Sequence, residues 1–132
     1  MAKRWLNSAD VEVTDSGALL VASCGKEVKR AAISASAAGN NEIVAAVTGK
    51  SICVLAMIIM AADSVTATVY SDNQSGGTAL SGPLTLGASG GFVLPAPADP
   101  AACWFKTAVG KKLNLYLSAA KQVSGAVVYY EE

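Results

Sequence analysis

Apolar and polar residues alternate along several short runs of this chain, with the two-residue period of a strand that buries one face. Residues 65–70 show the pattern most clearly, because the valines and the alanine of that run share one face while the threonines and the tyrosine share the other. Residues 113–117 repeat it, with three leucines directed inward and Asn114 and Tyr116 directed outward. In residues 123–130, each face carries one valine and one tyrosine near the end of the run. These runs are predicted to be half-buried strands.

About eight or nine such runs follow one another at a spacing of roughly ten residues, which is typical of a sandwich or barrel of antiparallel strands. Glycine, proline and asparagine separate the runs, and no helical period is sustained between them. Residues 104–108 form one of the later runs, and Gly110 and the lysines after it are predicted to close a tight hairpin into residues 113–117. The sequence therefore predicts an all-β domain over residues 26–132.

The run of residues 52–62, ICVLAMIIMAA, is apolar on both faces and contains no charge. It is too short to cross a bilayer as a helix, which takes about 20 apolar residues. A central strand is the interpretation that fits its neighbours, although alanine and methionine also favour a helix there. As a strand it needs a second cover besides the facing sheet, and the N-terminal arm or another subunit is expected to provide it.

Residues 1–25 differ in their sequence pattern from the rest of the chain, because charged residues are interspersed among a few apolar ones. We predict an extended N-terminal arm that reaches a neighbouring subunit, with Trp5, Leu6, Val11 and Val13 as candidate interface residues. An ordinary first strand or a frayed terminus is the alternative.

The composition fits a single domain that is either buried on many sides or covered by partner subunits. The chain has 132 residues, of which 52% are hydrophobic and 15% charged, and its net charge is zero. In soluble domains, about a quarter of all residues are usually charged. A zero balance without a basic face argues against nucleic-acid binding.

Catalytic and metal-binding patterns are missing from the sequence. The chain has no histidine, which removes the usual activated nucleophiles and the commonest metal ligand. Cys24, Cys53 and Cys103 are far apart and lack zinc spacing, so we expect no disulfide framework and a buried, inert Cys53. No catalytic residue, metal or cofactor is therefore expected.

Two features leave room for a bound ligand. The polar loop of residues 71–78 lacks the acidic series of a calcium-binding EF-hand and is predicted to be a hairpin loop, with weak calcium or sugar contact as the alternative. Trp104 and Tyr116 are aromatic residues that either line a sugar site or plug the ends of the sandwich.

Residues 49–132 carry a series of short motifs in a fixed order: GKSICVL (49–55), SGPL (81–84), GGFVLP (90–95), WFKTA (104–108) and LNLYLSAA (113–120). This series resembles a group of small tailed-bacteriophage virion proteins of the single jelly-roll kind. The resemblance implies a jelly roll and a place in the virion, as a head decoration (cement) protein or a small tail component. It supplies no catalytic residues, and residues 1–48 add nothing to it.

These observations lead to the expectation of a non-enzymatic decoration protein on the capsid exterior, assembled in the host cytoplasm. It would self-associate, as a homotrimer, and bind the major capsid protein so as to brace adjacent subunits; neither nucleic acid nor membrane is an expected partner. The alternative is a tail or fibre module that binds host-surface carbohydrate through Tyr116, Trp104 or the 71–78 loop.

Overall fold

The structure, a computed structural model, describes residues 12–13, 19–20, 26–99 and 101–132. In chain order its strands are β1 (Glu12–Val13), β2 (Leu19–Leu20), β3 (Lys29–Ala35), β4 (Gly39–Val44), β5 (Ile52–Ala61), β6 (Val65–Ser71), β7 (Thr78–Ala79), β8 (Leu84–Leu86), β9 (Gly91–Leu94), β10 (Phe105–Lys106), β11 (Leu113–Leu117) and β12 (Val123–Glu131). The described residues contain no helix, so the all-β prediction is confirmed.

Two antiparallel sheets pack face to face and form a β-sandwich. In the first sheet the order is β3, β12, β5, and then β10 and β9 share the far edge of β5. β10 pairs with the beginning of β5 and β9 with its second half. In the second sheet the order is β4, β11, β6, and β7 and β8 share the far edge of β6. A sandwich, and not a barrel, is thus the architecture that the alternating strands adopt.

The core lies between the sheets and is built from the inward faces that the alternation predicts. The three leucines of β11, Leu113, Leu115 and Leu117, are each 1% exposed. Val127 and Tyr129 of β12 point into the same core, whereas Val128 and Tyr130 belong to the opposite face. Burying each such leucine or valine contributes roughly 1.5–3 kcal/mol, so these strands hold the two sheets together.

β5 is the central strand that residues 52–62 predict, and the helical alternative is wrong. The strand pairs with β12 along nearly its whole length, from Ile52 opposite Glu131 to Ala61 opposite Val123. Its register shifts once, where Leu55 is the extra residue of a β-bulge. The bulge places Leu55 on the outer side of the sheet, beside Cys53.

The predicted hairpin at residues 109–112 is wrong, although the turn is present. The Lys111 N–H donates to the Ala108 carbonyl oxygen at 3.1 Å, and Gly110 has a φ of 74°, a region that favours glycine. However, β10 belongs to the first sheet and β11 to the second. The turn therefore carries the chain from one sheet to the other, and the strand predicted at residues 104–108 shortens to β10.

The predicted N-terminal arm falls largely outside the described residues. β1 and β2 pair with each other, with Val13 opposite Leu19. Trp5, Leu6 and Val11 are not described, so their role as interface residues stays a prediction. In the part of the chain that the structure describes, no helix is long and apolar enough to span a membrane.

Candidate interaction surfaces

The outer face of β5 divides into two halves with the same apolar character. Cys53 and Leu55 point outward in the first half, and Ile58 and Met60 point outward in the second. Cys53 is fully buried and Leu55 is 6% exposed, whereas Ile58 is 49% and Met60 57% exposed. We call the first the covered half and the second the open half.

The cover over the first half includes the end of the chain's own loop of residues 95–104, of which the structure describes residues 95–99 and 101–104. Cys53, Leu55 and Tyr130 form a small apolar cluster against which Cys103, near the end of that loop, is packed. The Trp104 N–H donates to the Val54 carbonyl oxygen at 2.8 Å, which fixes the end of the loop on β5. The Trp104 indole N–H donates to the Pro95 carbonyl oxygen at 2.7 Å and closes the loop on itself. For this half of β5, neither the arm nor another subunit is needed as the second cover.

Charged groups lie at the edge of the covered half. The Cys53 thiol donates to Glu132 Oε2 at 3.4 Å, and Lys106 Nζ lies 2.9 Å from the same oxygen. Burial raises the pKa of the Cys53 thiol to about 12, and burial also raises the pKa of Tyr130, which hydrogen-bonds to that thiol. The hydrogen bond from Lys106 holds the pKa of the Glu132 carboxyl below its ordinary value. At neutral pH Cys53 is therefore a protonated, poorly reactive thiol.

The open half of β5 continues sideways into a surface across four strands whose outward side chains carry no charge. Ile58 lies opposite Val93 of β9 on one side and Ala126 of β12 on the other, and Ala126 lies opposite Ala32 of β3. All four side chains are exposed, Val93 at 64%. Since paired residues of antiparallel strands point to the same side, these four form one continuous row.

A second row runs beside the first, two residues farther along each strand. Met60 lies between Gly91 and Ser124, and Ser124 lies opposite Ser34. The Gln122 amide donates to both serine hydroxyls, at 3.2 Å to Ser34 and 3.0 Å to Ser124. We call the two rows the open patch: Ala32, Ser34, Ile58, Met60, Gly91, Val93, Ser124 and Ala126.

The open patch has the dimensions of the centre of a protein interface. Four strands about 4.8 Å apart and two rows about 6.8 Å apart cover roughly 250 Å². A stable interface takes about 800 Å² from each partner, with its most apolar part at the centre. The patch therefore provides roughly a third of such a surface, and its margins, where Arg30 is exposed, provide the polar rim.

The outer face of the second sheet is polar and aromatic instead. Tyr70 and Tyr116 pack edge to face, with ring centroids 6.1 Å apart. Asn114 lies opposite Tyr70 on one side and Glu42 on the other, and it is fully buried although it occupies an outward position. The Asn114 amide donates to Asn40 Oδ1 at 2.9 Å, and the Gln74 N–H donates to the same oxygen at 2.8 Å. Asn114 Oδ1 has no hydrogen-bond partner among the described residues.

The structure brings together two of the three candidate carbohydrate features. Gln74 of the 71–78 loop contacts Asn40, which lies opposite Tyr116, so the loop and Tyr116 share this face. Trp104 lies on the first sheet instead. Asp72, the acidic residue of the loop, forms an ion pair with Lys111 at 3.2 Å, and no cluster of metal-ligating side chains occurs within the described ranges. The alternative of calcium contact gains no support from this arrangement.

Sequence reasoning missed the open patch because three of its strands come from distant parts of the chain. The only local signal was that residues 52–62 are apolar on both faces. No protein-family model, curated protein or solved structure matches the chain.

Proposed function

We propose that this chain is a non-enzymatic structural protein of a tailed bacteriophage: a decoration protein that self-associates, binds the outer capsid surface and braces adjacent major capsid subunits. The observation that carries the proposal is the open patch, in which Ile58, Met60 and Val93 stand side by side, half exposed or more. Contiguous apolar patches on a protein surface often mark an interaction site, and an assembly protein has a use for one.

The energetic scale supports docking through this surface. Removing the patch from water on one partner contributes at most about 6 kcal/mol before the costs of association, because Ser34 and Ser124 make part of its roughly 250 Å² polar. That amount does not give tight binding alone. Repeated around a symmetric oligomer and supplemented by contacts of the arm, it gives a stable assembly on a capsid lattice.

The strand order supports a single jelly roll as the finer description of the sandwich. If β7 with β8 and β9 with β10 are each counted as one interrupted strand, two four-stranded sheets remain. With the strands counted in this way, every connection from β3 onward crosses between the sheets, except the one from β6 to the combined strand of β7 and β8. Such crossing is expected of two intertwined Greek keys, the arrangement of a jelly roll.

Self-association is tested by placing a charge on the open patch. The full chain is expected to sediment as an oligomer, a trimer in this proposal, at micromolar concentration. Met60→Lys is expected to sediment as a monomer, because a lysine at the centre of a docked apolar surface is buried without a partner. Thr85→Lys is the matched control, since it adds the same charge to an exposed strand position of the second sheet and should leave the oligomer intact.

Capsid binding is tested by co-sedimentation with DNA-filled capsids of the encoding phage. The full chain and Thr85→Lys are expected to sediment with the capsids, and Met60→Lys to remain in the supernatant. A wild-type chain that is monomeric and does not sediment with capsids contradicts the proposal.

A second candidate, carbohydrate binding in a tail or fibre, is favoured by the polar face of the second sheet. Tyr70 and Tyr116, which pack edge to face and are each partly exposed, offer apolar ring surface against which a sugar can pack. A glycan array supports this candidate if binding is lost in Tyr116→Ala and retained in Trp104→Ala, which removes an aromatic residue from the other sheet. Absence of binding by the full chain contradicts it.

A further inference from the structure

Two cysteines meet in the cluster beneath the 95–104 loop, and neither proposed function uses them. Cys53 is on β5 and fully buried, and Cys103 is half buried at the end of the loop. Cys103 packs against the small apolar cluster that contains Cys53, so both thiols belong to one buried contact between the loop and β5. Both are free thiols, 50 positions apart in the sequence.

We propose that Cys53 and Cys103 are a modification site, at which a disulfide closes and fastens the 95–104 loop to β5 when the protein meets a low-molecular-weight disulfide such as glutathione disulfide. The inference is independent of what docks on the open patch. It replaces the expectation that Cys53 is merely a small buried hydrophobe.

The reaction is a pair of thiol–disulfide exchanges. The more accessible Cys103 thiolate attacks one sulfur of glutathione disulfide, the S–S bond breaks, and one glutathione thiolate leaves and takes up a proton. Cys53 then loses its proton to solvent and attacks the Cys103 sulfur of the mixed disulfide, and the second glutathione leaves in the same way. Two protein thiols are oxidised and one glutathione disulfide is reduced to two glutathione thiols.

The second exchange is the slow one. Because burial keeps the Cys53 thiol protonated at neutral pH, only a small fraction of it is a thiolate. The rate of the second exchange is therefore expected to rise about tenfold for each pH unit between pH 7 and 9. Such a site stays reduced in a cytoplasm rich in glutathione and closes only after prolonged exposure to oxidising surroundings.

The closed disulfide has two structural consequences. It removes conformational freedom from a long loop of the unfolded chain, which stabilises the fold. It also makes the cover over Cys53 and Leu55 permanent, whereas in the reduced protein the loop is held to β5 by hydrogen bonds and packing.

The test begins with a Cys24→Ser variant, so that only the proposed pair reacts. Incubation with glutathione disulfide at pH 8.5 is expected to yield a product about 2 Da lighter than the reduced chain, with peptides joined through Cys53 and Cys103. The Tm of that product is expected to be roughly 5–10 °C higher than that of the reduced form and to return on addition of dithiothreitol.

Two further measurements test whether Cys53 resolves the mixed disulfide at Cys103. In Cys24→Ser with Cys53→Ala, the mixed glutathione disulfide at Cys103 is expected to persist, and the wild-type chain should give the same cross-linked peptides if the Cys24→Ser variant folds poorly. A glutathione adduct that persists at Cys103 in the presence of Cys53, or a cross-linked product with a lower Tm than the reduced form, overturns the inference.

Discussion

The covered and open halves of β5 have similar side chains but different surroundings. In the covered half, Cys53 and Leu55 are buried beneath a loop of the same chain, while Ile58 and Met60 in the open half face solvent. The inner faces of the two halves are alike, because Val54 and Ile59 are both buried in the core between the sheets. What separates them is the element that borders each: β10 with its loop beside the first half, and the short β9 beside the second.

The difference shows that an apolar strand face does not by itself reveal whether it belongs to the core or to an interface. A loop that folds back converts one half into core, whereas the other half keeps its apolar surface for a partner. Side chains of equal hydrophobicity should therefore contribute to folding in one half and to association in the other.

Truncation of one leucine or one isoleucine gives the largest contrast between the halves. Leu55→Ala is expected to lower the free energy of unfolding by about 2–4 kcal/mol, because it leaves a cavity beneath the loop. Ile58→Ala is expected to lower it by less than about 1 kcal/mol, because its side chain is half exposed in the single chain. Urea denaturation at two protein concentrations measures both and separates folding from self-association. Equal losses in the two variants would abolish the distinction between the halves.

Backbone packing beside the open half is expected to be as tight as in the core. A Cβ atom on Gly125, which lies opposite Ile59, would overlap the carbonyl oxygen of Ile58. Gly125→Ala is therefore expected to cost about 1–3 kcal/mol through displacement of β12 from β5. Gly87→Ala is the control, since its Cβ would meet nothing within 4 Å, and it should be nearly neutral in thermal or urea unfolding.

At the covered half of β5, acid is expected to have a smaller effect than these substitutions, and it acts there through Glu132. The pKa of Glu132 is lowered in the folded protein, chiefly by its hydrogen bond with Lys106, so its contribution to stability is present above its unfolded pKa. That contribution is lost as the pH falls through the lower, folded pKa. Between pH 5 and pH 3, the Tm of the wild-type chain should fall slightly more than the Tm of Glu132→Gln.

The open patch contains no titratable side chain, so acid should not alter association directly. Sedimentation of the oligomer is expected to be the same at pH 8 and pH 6. Dissociation over that range would show that charged groups at the margin, and not the apolar rows, hold the subunits together.

Local alternation was enough to predict much of the fold. The faces of β6, β11 and β12 follow directly from their sequences, and β5 ends within one residue of its predicted boundary. The hairpin after β10 failed because turn residues specify a change of direction and not the sheet that receives the next strand. The same reason limits prediction of the site, since Val93, Ile58 and Ala126 become neighbours only through non-local pairing.

Burial of Asn114 was also beyond sequence reasoning. Alternation places it outward, where an amide is ordinarily solvated, but side chains from β4 and β6 and the loop after β6 close over it. The loop is held by non-local contacts, among them the hydrogen bond from the Gln74 N–H to Asn40 and the Asp72–Lys111 ion pair, and such contacts leave no periodic pattern in the sequence.

The open patch ends on β3, whose outer edge has no neighbouring strand among the described residues. Lys29 and Arg30 place charged side chains at the beginning of that edge, which oppose pairing with another chain. Residues 31–35 carry no charge. This uncharged edge is continuous with an apolar face, and the chain has zero net charge. Both properties favour precipitation when the partner is missing. The purified protein should therefore combine a stable fold with low solubility, and a lysine at Ala32 should improve its colloidal behaviour.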